Sequence, residues 1–274
     1  MELWLREQHT EGYSVSWKIK EIFYQKQTPY QHLAIVEFYD LGRALVLDGI
    51  VQTTEKDEYI YHEMIAHVPM FSLRQVETVL VIGGGDGGTV REVLKHTGVK
   101  KVVLAEIDED VINACRQYLP VTAACLSDPR VELAIGDGIK YVEQQQAAFD
   151  LIIVDSSDPI GPAEPLFGSK FYQLVKRALK PGGAVVAQTE SPLFYPQAFQ
   201  RAVQAMRENF TYVKPYLTAI PSYVGGFWTF TMASDSELKP SWPETLPFSN
   251  RYYTPEVHQA AFALPPFVAE IVNK

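Results

Sequence analysis

The sequence lacks a long apolar run: its hydrophobic residues come in short segments, below the ~18 residues that indicate a membrane span. Its first residues carry charge early and lack the apolar stretch of a signal peptide. Cysteine is scarce, and the two cysteines, Cys115 and Cys125, are too few for a disulfide framework. We therefore expect a cytoplasmic protein with two reduced thiols and no membrane partner.

The chain is also poor in basic residues, with 24 Lys and Arg against 33 Asp and Glu and a net charge of −9. Nucleic-acid binding depends on clustered basic side chains, and no run of five of them occurs. We expect no nucleic-acid partner, whereas an acidic chain suits a cationic ligand. The 274 residues, 47% of them hydrophobic, suffice for one large domain or for one large and one small domain.

The first 54 residues predict a small antiparallel β domain. Val15, Trp17 and Ile19 alternate with polar residues, which is the period of a half-buried strand. Two further apolar runs, 43–47 and 50–54, are separated by Asp48-Gly49, a dipeptide that favours a tight hairpin turn. Another run covers residues 33–38. We place the first domain at residues 1–54 and the second at 55–274.

From residue 55 onward, apolar strands alternate with amphipathic helices. Ile60, Met64 and Val68 share one face of a helix that is expected to end near Pro69. Continuous apolar runs predict buried strands, and the segments between them predict helices. The predicted strands are 78–82, 101–107, 131–135, 149–154, 184–188, 213–217 and 227–232, and the predicted helices 89–95, 109–118, 169–179 and 197–209. The pattern is typical of an α/β fold with a parallel, doubly wound sheet.

A glycine-rich loop, residues 83–88, lies between the first of these strands and a helix. Gly83, Gly85 and Gly88 fit the G-x-G-x-x-G pattern, which by itself would also suit a dinucleotide site. Asp86 lies inside the loop, where a carboxylate would repel a pyrophosphate and attract a cation. The loop therefore favours a nucleoside that carries an amine and a sulfonium over a nicotinamide dinucleotide.

Acidic residues recur where the following strands end. Glu106, Asp137 and Asp155 follow the second, third and fourth strands of the predicted sheet. Ligands of open α/β sheets bind at the carboxyl ends of the strands, so we expect these three side chains and Asp86 to face one crevice. Each acid could instead cap a helix or a turn.

The segment 155–158 combines two carboxylates with two hydroxyls, in Asp155, Ser156, Ser157 and Asp158, directly after a buried strand. It could form a simple turn, or a pocket for an ammonium group with one acid as proton acceptor. A metalloprotease reading of the 62–67 segment fails, since its two histidines fall five residues apart instead of four.

Together these motifs resemble the spermidine synthase family. The glycine loop within residues 79–92 resembles the signature of that family. The likeness spans nearly the whole chain and includes segments 30–31, 47–49, 55–58, 61–64, 136–138, 155–162, 220–223, 252–253 and 258–262. It implies transfer of an aminopropyl group from decarboxylated S-adenosylmethionine to putrescine, giving spermidine and methylthioadenosine.

The resemblance also implies a fold, an assembly and a set of site residues. The fold is a methyltransferase-like Rossmann doubly wound sheet with a small N-terminal antiparallel β domain, in a homodimer or homotetramer without metal and with no cofactor beyond the co-substrate. Asp155 would be the proton acceptor. The nucleoside would be bound by Gln31, Gly83, Gly85, Glu106, Asp137, Gly138 and Pro162, and the polyamine by Tyr61, His62, Asp86, Asp155, Ser156, Ser157, Asp158 and Tyr223.

The chain departs from the family pattern at two places. His62 stands where some members have Gln, and Val224-Gly225 follows Tyr223 where relatives often have Pro-Ser. The acceptor could therefore be cadaverine, agmatine or spermidine instead of putrescine. A class I methyltransferase acting on an amine and a non-catalytic polyamine-sensing module are the alternatives from other classes.

Overall fold

The fold is described from a computed structural model of residues 2–157 and 161–273, with Gly161 and Pro162 described in their backbone alone. The strands are β1 (Leu3–Thr10), β2 (Tyr13–Gln27), β3 (His32–Phe38), β4 (Gly42–Leu47), β5 (Ile50–Thr54), β6 (Thr78–Gly83), β7 (Lys101–Glu106), β8 (Val131–Ile135), β9 (Phe149–Asp155), β10 (Leu179–Gln188), β11 (Tyr212–Ala219) and β12 (Phe227–Ser234). The helices are α1 (Glu58–Ser72), α2 (Gly88–Leu94), α3 (Glu109–Tyr118), α4 (Pro120–Ala123), α5 (Gly138–Glu143), α6 (Ser169–Ala178), α7 (Pro196–Arg207), α8 (Pro255–Ala261) and α9 (Pro266–Asn273).

An antiparallel sheet opens the chain, in the order β1-β2-β3-β4-β5. The predicted hairpin between β4 and β5 is confirmed: Asp48 and Gly49 have φ values of 49° and 81°, which the tight turn requires. The Glu7 carboxylate of β1 accepts a hydrogen bond from the Val51 amide of β5 at 2.9 Å, and these two strands are the edges of the sheet. One edge of this sheet thereby comes close to the other.

The second sheet has the order β11-β12-β10-β9-β6-β7-β8. Its strands run parallel except for β12, which is antiparallel to both β10 and β11. The parallel, doubly wound arrangement that the sequence predicts therefore has an exception at β12. The cause is the connection between β11 and β12, residues 220–226, which is too short for the crossover that a parallel neighbour needs.

Both faces of this sheet are buried, as the continuous apolar runs predict. Val79 and Val81 of β6 face a cluster that includes α1, while Leu80 of the same strand faces a cluster that includes Phe171 and Tyr172 of α6. The sheet core therefore separates the two helical layers. It fixes the carboxyl ends of β6, β7, β9 and β10 at one edge, where the candidate site lies.

Helix α1 extends past Pro69 and ends at Ser72, so its predicted end near Pro69 is wrong. The proline removes one backbone hydrogen bond, at a cost of ~3 kcal/mol. Nearly every side chain of the helix is buried, and burial of each large apolar one, such as Met64 or Val68, returns ~1.5–3 kcal/mol. The Ser72 hydroxyl also donates to the Val68 carbonyl at 2.7 Å. Tertiary burial thus outweighs the local helix-breaking signal.

Among the described residues, no helix combines the length and the apolar character that a membrane crossing requires.

Candidate active site

A cavity of about 220 Å³ lies between the amino-terminal sheet and the carboxyl ends of the parallel strands. It brings together every predicted site residue whose side chain the structure describes: Gln31, Tyr61, His62, Gly83, Gly85, Asp86, Glu106, Asp137, Gly138, Asp155, Ser156, Ser157 and Tyr223. Asp158 and the side chain of Pro162 lie outside the described residues. The four acids that end or follow separate strands therefore do share one crevice.

The glycines of the 83–88 loop make room for these side chains. Gly83 has a φ of +78°, and a Cβ there would overlap the Asp155 carbonyl oxygen. A Cβ on Gly84 would lie 2.6 Å from the Asp155 carboxylate, and one on Gly85 would lie 2.9 Å from that of Glu106. The loop backbone is thus packed directly against two site carboxylates, which explains why several glycines follow one another.

Asp155 ends β9 with both carboxylate oxygens engaged. Oδ1 accepts a hydrogen bond from the Tyr61 hydroxyl and Oδ2 accepts one from Thr89, each at 2.6 Å. Burial raises the pKa of Asp155, and Asp86 raises it further against the opposing effect of His62. Burial and the Asp155 charge in turn hold the pKa of Tyr61 well above its usual value, so Tyr61 remains a donor. Asp155 is consequently a better proton acceptor than an exposed aspartate.

Asp86 follows the glycine turn and faces a histidine from α1. Its Oδ1 accepts the Gly88 amide at 2.6 Å and lies 3.5 Å from Nε2 of His62. The other ring nitrogen of His62 is 2.6 Å from the Glu58 carboxylate. Asp86, His62 and Glu58 therefore form a buried line of alternating acid and imidazole beside Asp155.

Glu106 ends β7 and lines the cavity. Its Oε1 accepts the Asp108 amide at 2.9 Å, and burial, with the charge of Asp108 adding to it, raises the pKa of Glu106 to about 7. Asp108 caps α3 and also accepts from the Gln31 amide at 3.0 Å and from Thr28 at 2.7 Å. Gln31 thereby ties the amino-terminal sheet to the parallel sheet at this end of the cavity.

Asp137 serves as a helix cap as well as a wall of the cavity. Its Oδ1 accepts the amides of Ile139 and Lys140 at the start of α5, at 2.8 and 3.4 Å. A Cβ on Gly138 would lie 2.5 Å from the Ile82 side chain, so this position has no room for a larger residue. Asp137 therefore caps α5, which was the alternative to a site role, and it also lines the cavity.

The opposite end of the cavity is aromatic. Tyr223 donates its hydroxyl to the Gln52 carbonyl at 2.7 Å, and its ring lies 4.7 Å from Trp228 and 5.7 Å from Tyr61 between ring centroids. The Ser156 carbonyl accepts a hydrogen bond from Gln188 at 3.1 Å, which fixes the segment after β9. The rings of Tyr61, Tyr223 and Trp228 can pack against the methylene groups of a slender ligand.

Sequence reasoning missed a further acid on this cavity, Glu7 of β1. Glu7 is only 3% exposed and accepts hydrogen bonds from the Val51 amide and from the Trp17 indole, the latter at 2.7 Å. The sequence feature that could have revealed Glu7 is its position in the alternation of β1, on the same face as Leu5 and His9. Other cavity residues to which the sequence assigned no site role include Tyr30, Asp48, Gln52, Gln188 and Trp228.

Family models match both parts of the chain. The spermidine synthase tetramerisation domain matches residues 3–55, and the spermine/spermidine synthase domain matches residues 58–241. The polyamine aminopropyltransferase of Thermoanaerobacter pseudethanolicus is 51% identical over 280 residues, with full coverage of both chains. That of Clostridium kluyveri is 50% identical over 275 residues, again with full coverage of both.

Solved structures give the same result. A spermidine synthase in complex with the transition state analogue AdoDATO has a TM-score of 0.96 and 41% identity, covering 99% of this chain and 95% of its own. The spermidine synthase of Thermotoga maritima has a TM-score of 0.95 and 41% identity, with coverages of 99% and 94%. The predicted methyltransferase-like Rossmann fold with an amino-terminal β domain is confirmed, and the chain belongs to the spermine/spermidine synthase family of polyamine aminopropyltransferases.

Proposed function

We propose that this aminopropyltransferase moves the aminopropyl group of decarboxylated S-adenosylmethionine to putrescine and releases spermidine and methylthioadenosine. The observation that carries the proposal is the convergence of buried carboxylates from separate strands on one cavity. Both proposed substrates are cations, and a buried carboxylate gains most from a cationic partner.

The nucleoside would lie along the carboxyl ends of β6, β7 and β8. Glu106 would accept hydrogen bonds from the ribose hydroxyls, at the position where this fold places a ribose-binding acid. Gly83 and Gly85 would allow the nucleoside to approach the backbone, and Asp137 and Gly138 would line the base. Gln31 and Pro162 are proposed to complete this half of the site.

The acceptor would lie between the aromatic end of the cavity and Asp155. Tyr61 and Tyr223 would pack against its methylene groups, and the segment 155–158 would bind its reacting end. The buried Glu7, on the amino-terminal sheet, is a suitable anchor for the far ammonium group. His62 and Asp86 would lie near the transferred chain, between donor and acceptor.

The reaction would be a displacement at carbon. The neutral acceptor nitrogen attacks the methylene carbon beside the sulfonium, the carbon–sulfur bond breaks, and its electron pair remains on sulfur as a neutral thioether. The extra proton on the new secondary amine passes to Asp155. If the amine of the acceptor has the pKa of a Lys side chain, ~10.4, its neutral form is disfavoured at pH 7 by ~4.6 kcal/mol.

Several features of the cavity would reduce that cost. Withdrawal from water and the adjacent sulfonium both lower the pKa of the amine, because each disfavours a further positive charge. The raised pKa of Asp155 lies closer to the pKa of the amine, so proton transfer from the amine to Asp155 is less unfavourable. Holding the two substrates in line supplies much of the remaining rate enhancement.

Asp86 would select the donor. Ordinary S-adenosylmethionine would bring a carboxylate close to this buried acid, whereas the decarboxylated donor brings an ammonium group. Repulsion between like charges would therefore favour the decarboxylated donor.

We further propose a cytoplasmic homo-oligomer, a dimer or a tetramer. The amino-terminal sheet matches a tetramerisation domain, and it exposes Leu3, Trp4 and Tyr39. Exposed apolar side chains on one sheet are suited to contact with a second copy.

The test is a mass-spectrometric assay of the purified protein with decarboxylated S-adenosylmethionine and, separately, putrescine, cadaverine, agmatine or spermidine. We expect methylthioadenosine and spermidine, with the highest kcat/KM for putrescine. A higher kcat/KM for another amine would overturn putrescine as the acceptor. Methyl transfer from methyl-labelled S-adenosylmethionine, without aminopropyl transfer, would overturn the reaction itself.

A further inference from the structure

A buried line of alternating charges leads from α2 into the cavity. Arg91 forms a two-pronged ion pair with Glu58, with its Nη1 3.0 Å from Oε1 and its Nη2 2.8 Å from Oε2. Glu58 Oε2 lies 2.6 Å from Nδ1 of His62, and His62 Nε2 lies 3.5 Å from Oδ1 of Asp86. Arg91 also pairs with Glu92, with its Nε 2.8 Å from Oε1 of that carboxylate. Charges of opposite sign thus alternate along the line.

His62 has little freedom within this line. Its side chain is 3% exposed, and a Cβ on Gly88 would overlap the imidazole ring, so the ring lies directly against the start of α2. Each ring nitrogen faces a carboxylate oxygen. An imidazole that donates to two carboxylates must carry a proton on both nitrogens, and such a ring is a cation.

Tyr61 and Asp155 also lie near His62. Tyr61, its neighbour on α1, packs edge-on at 5.4 Å between ring centroids and donates to Asp155 of β9. Among the described residues, the charged or titratable groups that face the ring are Glu58 and Tyr61 from α1, Asp86 from the glycine loop, Arg91 through Glu58, and Asp155 from β9.

We propose that Glu58 and Arg91 are positioning residues that hold His62 as a fixed imidazolium beside Asp86 in the aminopropyl-transfer site. The inference rests on the proposed function and adds two residues that do not line the cavity. Arg91 keeps Glu58 ionised and oriented, and Glu58 keeps Nδ1 of His62 protonated. The imidazolium then offsets the negative charge of Asp86.

Charge balance gives the imidazolium its role in the reaction. The carboxylates of the cavity favour binding of cations, but they also favour the ammonium form of the acceptor, which cannot attack. A fixed positive charge beside Asp86 opposes that second effect and lowers the pKa of the bound amine. It thereby favours the neutral nucleophile while Asp155 remains ready to take the proton.

The expected protonation states agree with this role. Burial alone would lower the pKa of His62, yet Asp86 and Glu58 together hold it well above its usual range. Burial would raise the pKa of Glu58, and its bonds to His62 and Arg91 instead lower it to about 2. Loss of the Glu58 charge should therefore lower the pKa of His62, and the imidazolium should be lost as pH rises through the new value.

The first experiment is ¹⁵N NMR of histidine-labelled, ligand-free protein between pH 6 and 9, with His62→Gln to assign the signal. In the wild type we expect both His62 nitrogens to stay protonated up to pH 8. In Glu58→Gln we expect the ring to lose a proton at a pH at least one unit lower. A neutral His62 ring in the wild type at pH 7 would overturn the proposal.

The second experiment compares kcat/KM across the same pH range. The ratio of kcat/KM for Glu58→Gln to kcat/KM for the wild type does not depend on the titration of the amine, which is common to both. Above the lowered pKa of His62 in the variant, this ratio should fall by up to about tenfold per pH unit. The matched control is Glu132→Gln, which removes an exposed carboxylate paired with Lys101, and its ratio should stay flat. If the ratio for Glu58→Gln does not change with pH, Glu58 has only a structural role and the proposal is wrong.

Two further variants keep the test decisive. In a His62→Gln background, Glu58→Gln should add no pH dependence, because the group it acts through is gone. If Glu58→Gln fails to fold by circular dichroism, Arg91→Lys keeps the charge but loses the two-pronged pair, and it should shift the His62 titration in the same direction. An unshifted titration there would overturn the role of Arg91. Failure of the wild type to transfer aminopropyl would defeat the proposed function, whereas the ligand-free NMR tests the imidazolium independently.

Discussion

Replacing Asp155 by Asn tests the centre of the proposed mechanism. The substitution removes the proton acceptor and keeps the size of the side chain. The Tyr61 and Thr89 hydroxyls both donate to Asp155 at 2.6 Å, and an amide retains one oxygen to accept from one of them. The other hydroxyl can rotate to accept from the new NH₂ group. We therefore expect the fold to survive, with a change in the free energy of unfolding below ~2 kcal/mol.

The expected loss of activity is much larger. Proton transfer to a positioned side chain contributes ~10²–10⁴-fold to rate, which corresponds to ~2.7–5.4 kcal/mol of transition-state free energy. Asp155→Asn should lower kcat by this factor, with a smaller effect on the KM for decarboxylated S-adenosylmethionine, because the nucleoside is bound by other residues. Unlike the wild type, the variant cannot take up the proton that the new amine must lose.

The assay measures methylthioadenosine by mass spectrometry at saturating donor and putrescine. Thermal unfolding followed by circular dichroism reports on the fold. The matched control is Asp40→Asn, since Asp40 lies in an exposed turn after β3 and should leave kcat unchanged. If a folded Asp155→Asn enzyme kept kcat within about tenfold of the wild type, below the range of general-base effects, Asp155 would not be the proton acceptor.

The other predictions concern the glycine loop, the ribose acid and donor choice. Gly83→Ala should lower the free energy of unfolding in urea by ~1–3 kcal/mol, because φ is +78° and the new Cβ overlaps the Asp155 carbonyl. The control Gly12→Ala, where a Cβ meets no atom, should not lower it, and equal stabilities of the two variants would contradict this packing. With the pKa of Glu106 at about 7, ribose hydroxyls that donate to its ionised form should make calorimetric nucleoside affinity rise roughly tenfold from pH 6 to 8, and Glu106→Gln should abolish that rise. Asp86→Asn should reduce the preference for decarboxylated over ordinary S-adenosylmethionine by about tenfold or more, ~1.4 kcal/mol; an unchanged ratio of dissociation constants would remove Asp86 from donor selection.

Local patterns predicted much of the fold. Alternation in β2 and continuous apolar runs in β6, β7 and β9 each specify a strand together with the faces it buries. The direction of β12 and the length of α1 did not follow from such patterns. One depends on a loop too short for a crossover, and the other on burial of a helix that contains a proline. The division of the chain at residues 54 and 55 stays a prediction, as do the roles of the individual site residues.

The sequence by itself determined that acids would meet at one edge of the sheet. Parallel strands end at the same edge, so Glu106, Asp137 and Asp155 had to converge once their strands were recognised. Tertiary structure alone placed Glu7 on the cavity and joined Arg91 to Glu58. The physical reason is distance along the chain: these contacts join elements from separate parts of the sequence, and no local period or turn signal records which side chains meet when the elements pack.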